Sequence, residues 1–282
     1  MISYFLLAFF LPLFVHVFAY PPVYHLIMRR RLCRLNFARK LTPTAGGLVL
    51  LVTINLSIVA LLGFFYWLGF ILIGLRSFVM IFIGSVAVAL WGLQDDRSTD
   101  RGPKGLRGHL QVLWKEQRFT SGLLKAWGIG GTSLIVSMGL SSNFWEMLVH
   151  TGLLALSANM LNLFDLRPGR AIKVFWMFSL AVMLATPLVY DSVAWILYLP
   201  VLSATIWFFI PEMQRMIMLG DTGANYLGFL LGVLFITGPS FIAKIVILIL
   251  LMILHAGAEF FSISKVIGRY PLLHLFDKWG AR

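Results

Sequence analysis

Apolar residues recur along this chain in runs of about 20, separated by short polar segments. An α-helix of that length crosses a hydrocarbon core of about 30 Å and satisfies its own backbone hydrogen bonds on the way. Nine spans are predicted on this basis: 3–27, 46–66, 77–94, 120–140, 146–164, 172–190, 193–210, 222–238 and 240–262. No soluble domain of useful size fits between them. Residues 1–282 are therefore expected to form one integral-membrane domain, an all-α polytopic bundle.

Composition sharpens that picture. Of the 282 residues, 60% are hydrophobic and 12% are charged, against about 25% charged in a soluble domain. The net charge of +12 could suggest nucleic acid as a partner, but the basic residues lie between spans and not on a soluble face. No nucleic-acid role is expected. The single cysteine, Cys33, excludes an internal disulfide.

The distribution of charge orients the chain. No lysine or arginine precedes the first span, whereas Arg29, Arg30, Arg31 and Arg34 follow it, the reverse of a cleaved signal peptide. With the N-terminus outside, the cytosolic segments are 28–45, 95–119, 165–171, 211–221 and 263–282. They hold 6, 6, 2, 1 and 4 basic residues, 19 of the chain's 23. That bias predicts a cytosolic C-terminus and a multi-pass protein of a bacterial-type cytoplasmic membrane. In this topology the arginine-rich 29–40 loop is a retention signal that also touches anionic lipid.

The acids point to chemistry. Of eleven, Glu146 and Asp191 fall on the outer side, while Asp95, Asp96, Asp165 and Asp221 all fall at cytosolic span ends. Carboxylates near hydrocarbon are costly, and their convergence at one depth suits a site for a divalent cation and a phosphate.

Four segments surround these acids. Thr42-Pro43-Thr44-Ala45-Gly46-Gly47 opens the second span, either as a plain helix start or as a backbone cradle for an anion. Gln94-Asp95-Asp96-Arg97 ends the third, where paired carboxylates oppose the helix dipole unless Arg97 and Arg101 neutralise them. Such a pair can bind Mg²⁺ or accept a proton. Asn159, Asn162 and Asp165 form one broad stripe of the fifth span, suited to interhelical bonding or to orienting a phosphate. Gly220-Asp221-Thr222-Gly223-Ala224-Asn225 starts the eighth, with Asp221 either a helix cap or a metal ligand. His255 with Glu259, and His274 with Asp277, read as structural pairs.

In this order TPTAGG, QDDR, NMLNLFD and MLGDTGAN resemble the motifs of the polyprenyl-phosphate N-acetylhexosamine-1-phosphate transferase family, over residues 40 to 230. The family includes the phospho-N-acetylmuramoyl-pentapeptide transferase of peptidoglycan synthesis. The resemblance implies attack of undecaprenyl phosphate on a UDP-amino sugar, releasing UMP, in cell-wall or surface-polysaccharide synthesis. It implies Mg²⁺, with Mn²⁺ as the substitute, bound chiefly by Asp221 and assisted by Asp165. Asp95 and Asp96 would bind the lipid phosphate or assist the metal, and Asp165 with Asn162 would organise the catalytic centre. Asn159, Lys125, Thr42, Thr44, Arg167 and Arg170 complete the expected substrate contacts. Membrane lipids are expected partners, and a homodimer is compatible with the sequence.

The chain departs from the family pattern in three places. Its third motif continues Leu166-Arg167-Pro168-Gly169-Arg170, with Pro168 where the family has an acid. Thr99 stands where a basic residue often follows the aspartate pair. A tenth span is missing, and the family's histidine-rich loop has His274 as its one counterpart. Arg167 and Arg170 make the altered loop a candidate receptor for phosphate or carboxylate. Two rival readings remain: a catalytically degenerate homologue that binds lipid phosphate and regulates a partner, and an anionic-lipid transporter.

Overall fold

A computed structural model describes residues 2–36, 38–69, 74–98, 105–117 and 120–279. It is 83% helical, with twelve α-helices. Nine lie along the predicted runs: α1 (Ile2–Arg29), α2 (Gly47–Trp67), α3 (Leu75–Arg97), α5 (Ser121–Leu140), α6 (Phe144–Phe164), α7 (Arg170–Ala185), α8 (Ser192–Met213), α9 (Gly220–Thr237) and α10 (Phe241–Phe260). Among the described residues, seven of these are long and apolar enough to cross a membrane. The two that fall short are α7, with 16 residues, and α9, with 18 and a polar first turn.

The remaining helices lie outside the apolar runs. Between α3 and α5 is α4 (Gly105–Glu116), and after α10 come α11 (Ile263–Arg269) and α12 (Pro271–Lys278). A 3₁₀ turn, Pro187–Tyr190, closes the run expected at 172–190. Thr99 and Arg101 lie outside the described residues.

One element corrects the all-α expectation. Strands β1 (Cys33–Leu35) and β2 (Leu41–Pro43) pair antiparallel, with Arg34 opposite Thr42. The arginine-rich loop is thus folded: Asn36 accepts the backbone N–H groups of Ala38 and Lys40 at 2.9 and 3.0 Å, an Asx-type turn.

The centre of the bundle is α9. From Thr222 to Phe229 each of its residues is buried. It packs against α6, α3 and α2. Small residues make this close approach feasible, since lipid tails give no hydrophobic drive between helices and packing must supply it. A Cβ on Gly47 of α2 would overlap the backbone of Gly223 of α9. Tyr226 then reaches across to α2, its hydroxyl 3.1 Å from Asn55 Oδ1. The polar first turn of α9 is therefore held at the end of the bundle where α2 begins and α3 ends.

Candidate functional site

Asp96 occupies the last turn of α3 and is 5% exposed. Its Oδ1 accepts from the backbone N–H of Asp221 at 3.1 Å and from Thr44 Oγ1 at 3.2 Å. Its Oδ2 accepts from the backbone N–H of Thr222 at 2.9 Å and from Thr222 Oγ1 at 2.6 Å. Leu219, which precedes α9, has no side chain able to cap it. A carboxylate from a different helix supplies the missing acceptor, and the positive end of the α9 dipole favours its charge. Gly220 makes room for this. Its φ is +70°, and a Cβ there would sit 2.7–2.8 Å from Ala45 N, Asp96 Oδ2 and Thr44 Oγ1.

Because Asp96 caps the helix, Asp221 is free of that task. It sits inside the first turn of α9, not at its N-cap. Its Oδ2 lies 2.7 Å from Lys125 Nζ, and the same ammonium lies 3.2 Å from Asp95 Oδ2. Lys125 comes from the second turn of α5, which Thr120 caps by accepting from Leu123 N at 3.3 Å. The three side chains are 12%, 18% and 19% exposed, sheltered from bulk water yet reachable from it.

Thus Asp95 and Asp221, 126 residues apart, converge on one cation position, filled here by the Lys125 ammonium. Two carboxylates with open coordination suit Mg²⁺, which keeps water and substrate phosphates as its other ligands. Among the described residues, no group of three or more His, Cys, Asp or Glu is close enough to enclose a metal. The donors present are two carboxylates bridged by one ammonium.

The expected anion cradle at Thr42–Gly47 is closed by the chain itself. Gly46 N donates to Met218 O and Gly47 N to Leu219 O, both at 2.9 Å. Met218 N in turn donates to Pro43 O at 2.8 Å. Thr44 serves Asp96, while Thr42 Oγ1 accepts from Asn36 Nδ2 at 3.0 Å and donates to Lys40 O at 3.2 Å. Both threonines are buried. Thr42 thus secures the β1–β2 turn and Thr44 the Asp96 carboxylate, while the backbone of Pro43, Gly46 and Gly47 holds the segment before α9.

Asp165 is the C-cap of α6, near Asp96. Its charged neighbours are Asp96, Arg170 and Glu212, and the Gly220 N–H points to it. Burial first, and then the Asp96 charge, push its carboxyl up to about 7. Asp165 thus adjoins the acidic centre through Asp96 and the Gly220 backbone. Asn159 and Asn162 are half-buried on α6, and Asn162 O accepts from Asp165 N at 3.3 Å.

The altered loop differs most from expectation. Arg170 is 3% exposed and holds the C-terminal helix: Nε and Nη2 donate to Asp277 Oδ1 and Oδ2 at 2.7 and 2.9 Å, and Nη1 to Ser264 Oγ at 2.9 Å. One turn on, Lys173 Nζ donates to the carbonyl oxygens of Phe276, Asp277 and Trp279 at 2.9, 2.7 and 3.1 Å. A fork matched to a carboxylate was the right chemistry, but the carboxylate is internal. In this structure Arg170 anchors the tail, its guanidinium engaged by Asp277 and Ser264. Arg167 is exposed and adds its charge near Asp277.

Two residues escaped the sequence reading. Arg34 donates through Nη2 to Asp95 O at 2.6 Å and Ser98 O at 3.1 Å, satisfying the C-terminal carbonyls of α3. It is thus more than a retention signal. Glu212, 2% exposed in α8, accepts from Leu219 N at 3.3 Å and neighbours Asp165 and Lys173. The signal available for it was an acid two residues past an apolar run, close to hydrocarbon.

Compared with protein-family models the chain matches none, and no curated protein matches it either.

Proposed function

We propose that this protein is a phosphoglycosyltransferase of the membrane, moving a sugar 1-phosphate from a UDP-amino sugar to undecaprenyl phosphate at its cytosolic face. The observation that carries the reading is the convergence of Asp95, Asp221 and Lys125 at the bundle end, beside the buried Asp96. Nine spans with the N-terminus outside would set that end in the cytosol, where nucleotide sugars reside.

In this reading Asp221 and Asp95 would hold Mg²⁺, which would neutralise phosphate charge. Lys125 would offer its ammonium to a phosphate oxygen of donor or acceptor. Asp96 fixes the first turn of α9, so that Asp221 meets Asp95 without rearrangement. Asp165, standing near neutrality, is suited to take or hold one proton beside the centre.

The test is UMP release by the purified protein with undecaprenyl phosphate, Mg²⁺ and a panel of UDP-sugars. Release with at least one donor, lost on chelation, is the expected result. A second reading draws on the Lys125 ammonium, which already bridges both acids: a catalytically degenerate protein that binds lipid phosphate and regulates a partner. Phosphate-lipid binding with no UMP release from any donor would favour it.

A further inference from the structure

The C-terminal helix α12 is tied down on one face only. Asp277 is clamped by Arg170, and Lys173 caps the helix end. Trp279 also packs near Phe209 of α8, with ring centroids 6.3 Å apart. Leu272 and Leu275 lie at helical spacing away from these ties and are 82% and 70% exposed, and Trp279, the residue just past the helix, keeps 59% of its surface exposed beside Phe209. The approach to it is equally apolar: Phe260 and Phe261 are each 68% exposed, and Tyr270 56%.

The position of this face follows from the helices around it. Arg170 stands six residues after the end of α6, and α12 follows the end of α10 by eleven. Both α6 and α10 are long and apolar enough to cross a membrane. Helix α12 therefore lies at the level where two such helices end, whichever way the protein is oriented. Charge completes the match. Lys265, Arg269 and Lys278 are exposed, and the one acid between residues 260 and 279 is Asp277, already neutralised by Arg170.

We propose that α12 is an interfacial helix, seated with Leu272 and Leu275, and Trp279 just past its end, in the acyl boundary of the adjacent leaflet, and with Lys278 and the α11 residues Lys265 and Arg269 among anionic headgroups. An apolar face of leucine and tryptophan flanked by basic residues is the pattern such helices share. The anionic headgroup is the ligand; each basic residue close to the surface adds to its attraction. This seating is independent of the transferase reading and requires no activity.

The test uses the full chain with Cys33→Ser and single cysteines at Leu272, Leu275 or Lys278, carrying an environment-sensitive fluorophore. The protein is reconstituted in phosphatidylcholine, with or without about one-third phosphatidylglycerol. Labels at 272 and 275 should be blue-shifted, quenched by doxyl-lipid and shielded from iodide, with the reverse at 278. Shielding should deepen with phosphatidylglycerol and relax in high salt. Iodide quenching of 272 and 275 as strong as at 278 overturns the seating, and shielding equal in both lipids overturns the anionic partner. Amide exchange of the unsubstituted protein gives a second reading: residues 271–279 should exchange more slowly in the anionic bilayer, and equal exchange in both lipids counts against the proposal.

Discussion

Thr222 Oγ1 donates to Asp96 Oδ2 at 2.6 Å, joining the first turn of α9 to the last turn of α3 across 126 residues of chain. With the two backbone N–H groups that Asp96 also accepts, this bond makes one buried carboxylate the cap of a helix that lacks its own.

Asp96→Ala should accordingly act on stability before chemistry. Losing a cap costs up to about 2 kcal/mol, and stranding buried donors costs about 1–3 kcal/mol more, so a loss of roughly 2–4 kcal/mol is expected. Thermal unfolding in detergent measures it. An unchanged Tm would show that α9 is capped in some other way.

Asp221→Asn should do the opposite. Because Asp96 does the capping, the fold should persist with a Tm near that of the wild type. If Asp221 is a Mg²⁺ ligand, turnover should fall by at least about 10²-fold, since metal charge stabilisation is worth several kcal/mol. UMP release separates the outcomes, and near-normal turnover would remove Asp221 from the catalytic centre.

Arg170→Ala should release the C-terminal helix while leaving donor KM nearly unchanged. Charged hydrogen bonds of this kind contribute about 1.5–3 kcal/mol each when protected, and less where a partner is partly exposed, as Asp277 is. A spin label at Lys278 should become mobile in this variant. The double variant with Asp277→Ala should be little worse than either single one. A rise in donor KM with an immobile label would restore Arg170 to the substrate.

The same anchor predicts a response to acid. Hydrogen bonding from Arg170 holds the Asp277 carboxyl below the usual carboxylate range. A lowered value means that docking favours the ionised form. The contribution is complete above about pH 4 and fades as the pH falls below the ordinary value of about 3.9. The Lys278 spin label should stay ordered from neutrality to about pH 4 and loosen below it, whereas Arg170→Ala should be loose throughout. A wild-type label indifferent to acid would count against the ion pair.

Orientation is checked by labelling single cysteines in a Cys33→Ser background. Ser142, at the exposed turn between α5 and α6, should react from outside the cell. Lys278 should react only after the membrane is opened. The inverse pattern would move the acidic centre to the outer face, away from cytosolic nucleotide sugars.

Much of the architecture was legible in one dimension. Apolar runs are a local signal, because a helix in lipid must satisfy its backbone within its own length. The runs at 46–66 and 120–140 therefore correspond to α2 and α5 nearly end for end. Lys125 and the four aspartates could likewise be singled out, since charge beside hydrocarbon is costly wherever it occurs. Their division of labour could not. QDDR presents two adjacent acids as equals, yet the helical turn between them points Asp95 to Lys125 and Asp96 to the α9 backbone. Asp221 had the sequence of a helix cap and lost that role to a residue on another helix. Arg170 had the chemistry of a phosphate receptor and found its carboxylate at Asp277, 107 residues later. Composition and spacing determined which groups had to be paired at the bundle end. Only the packing of α3, α5, α7, α9 and α12 decided with whom, because a buried charge binds whichever partner the fold brings within about 3 Å.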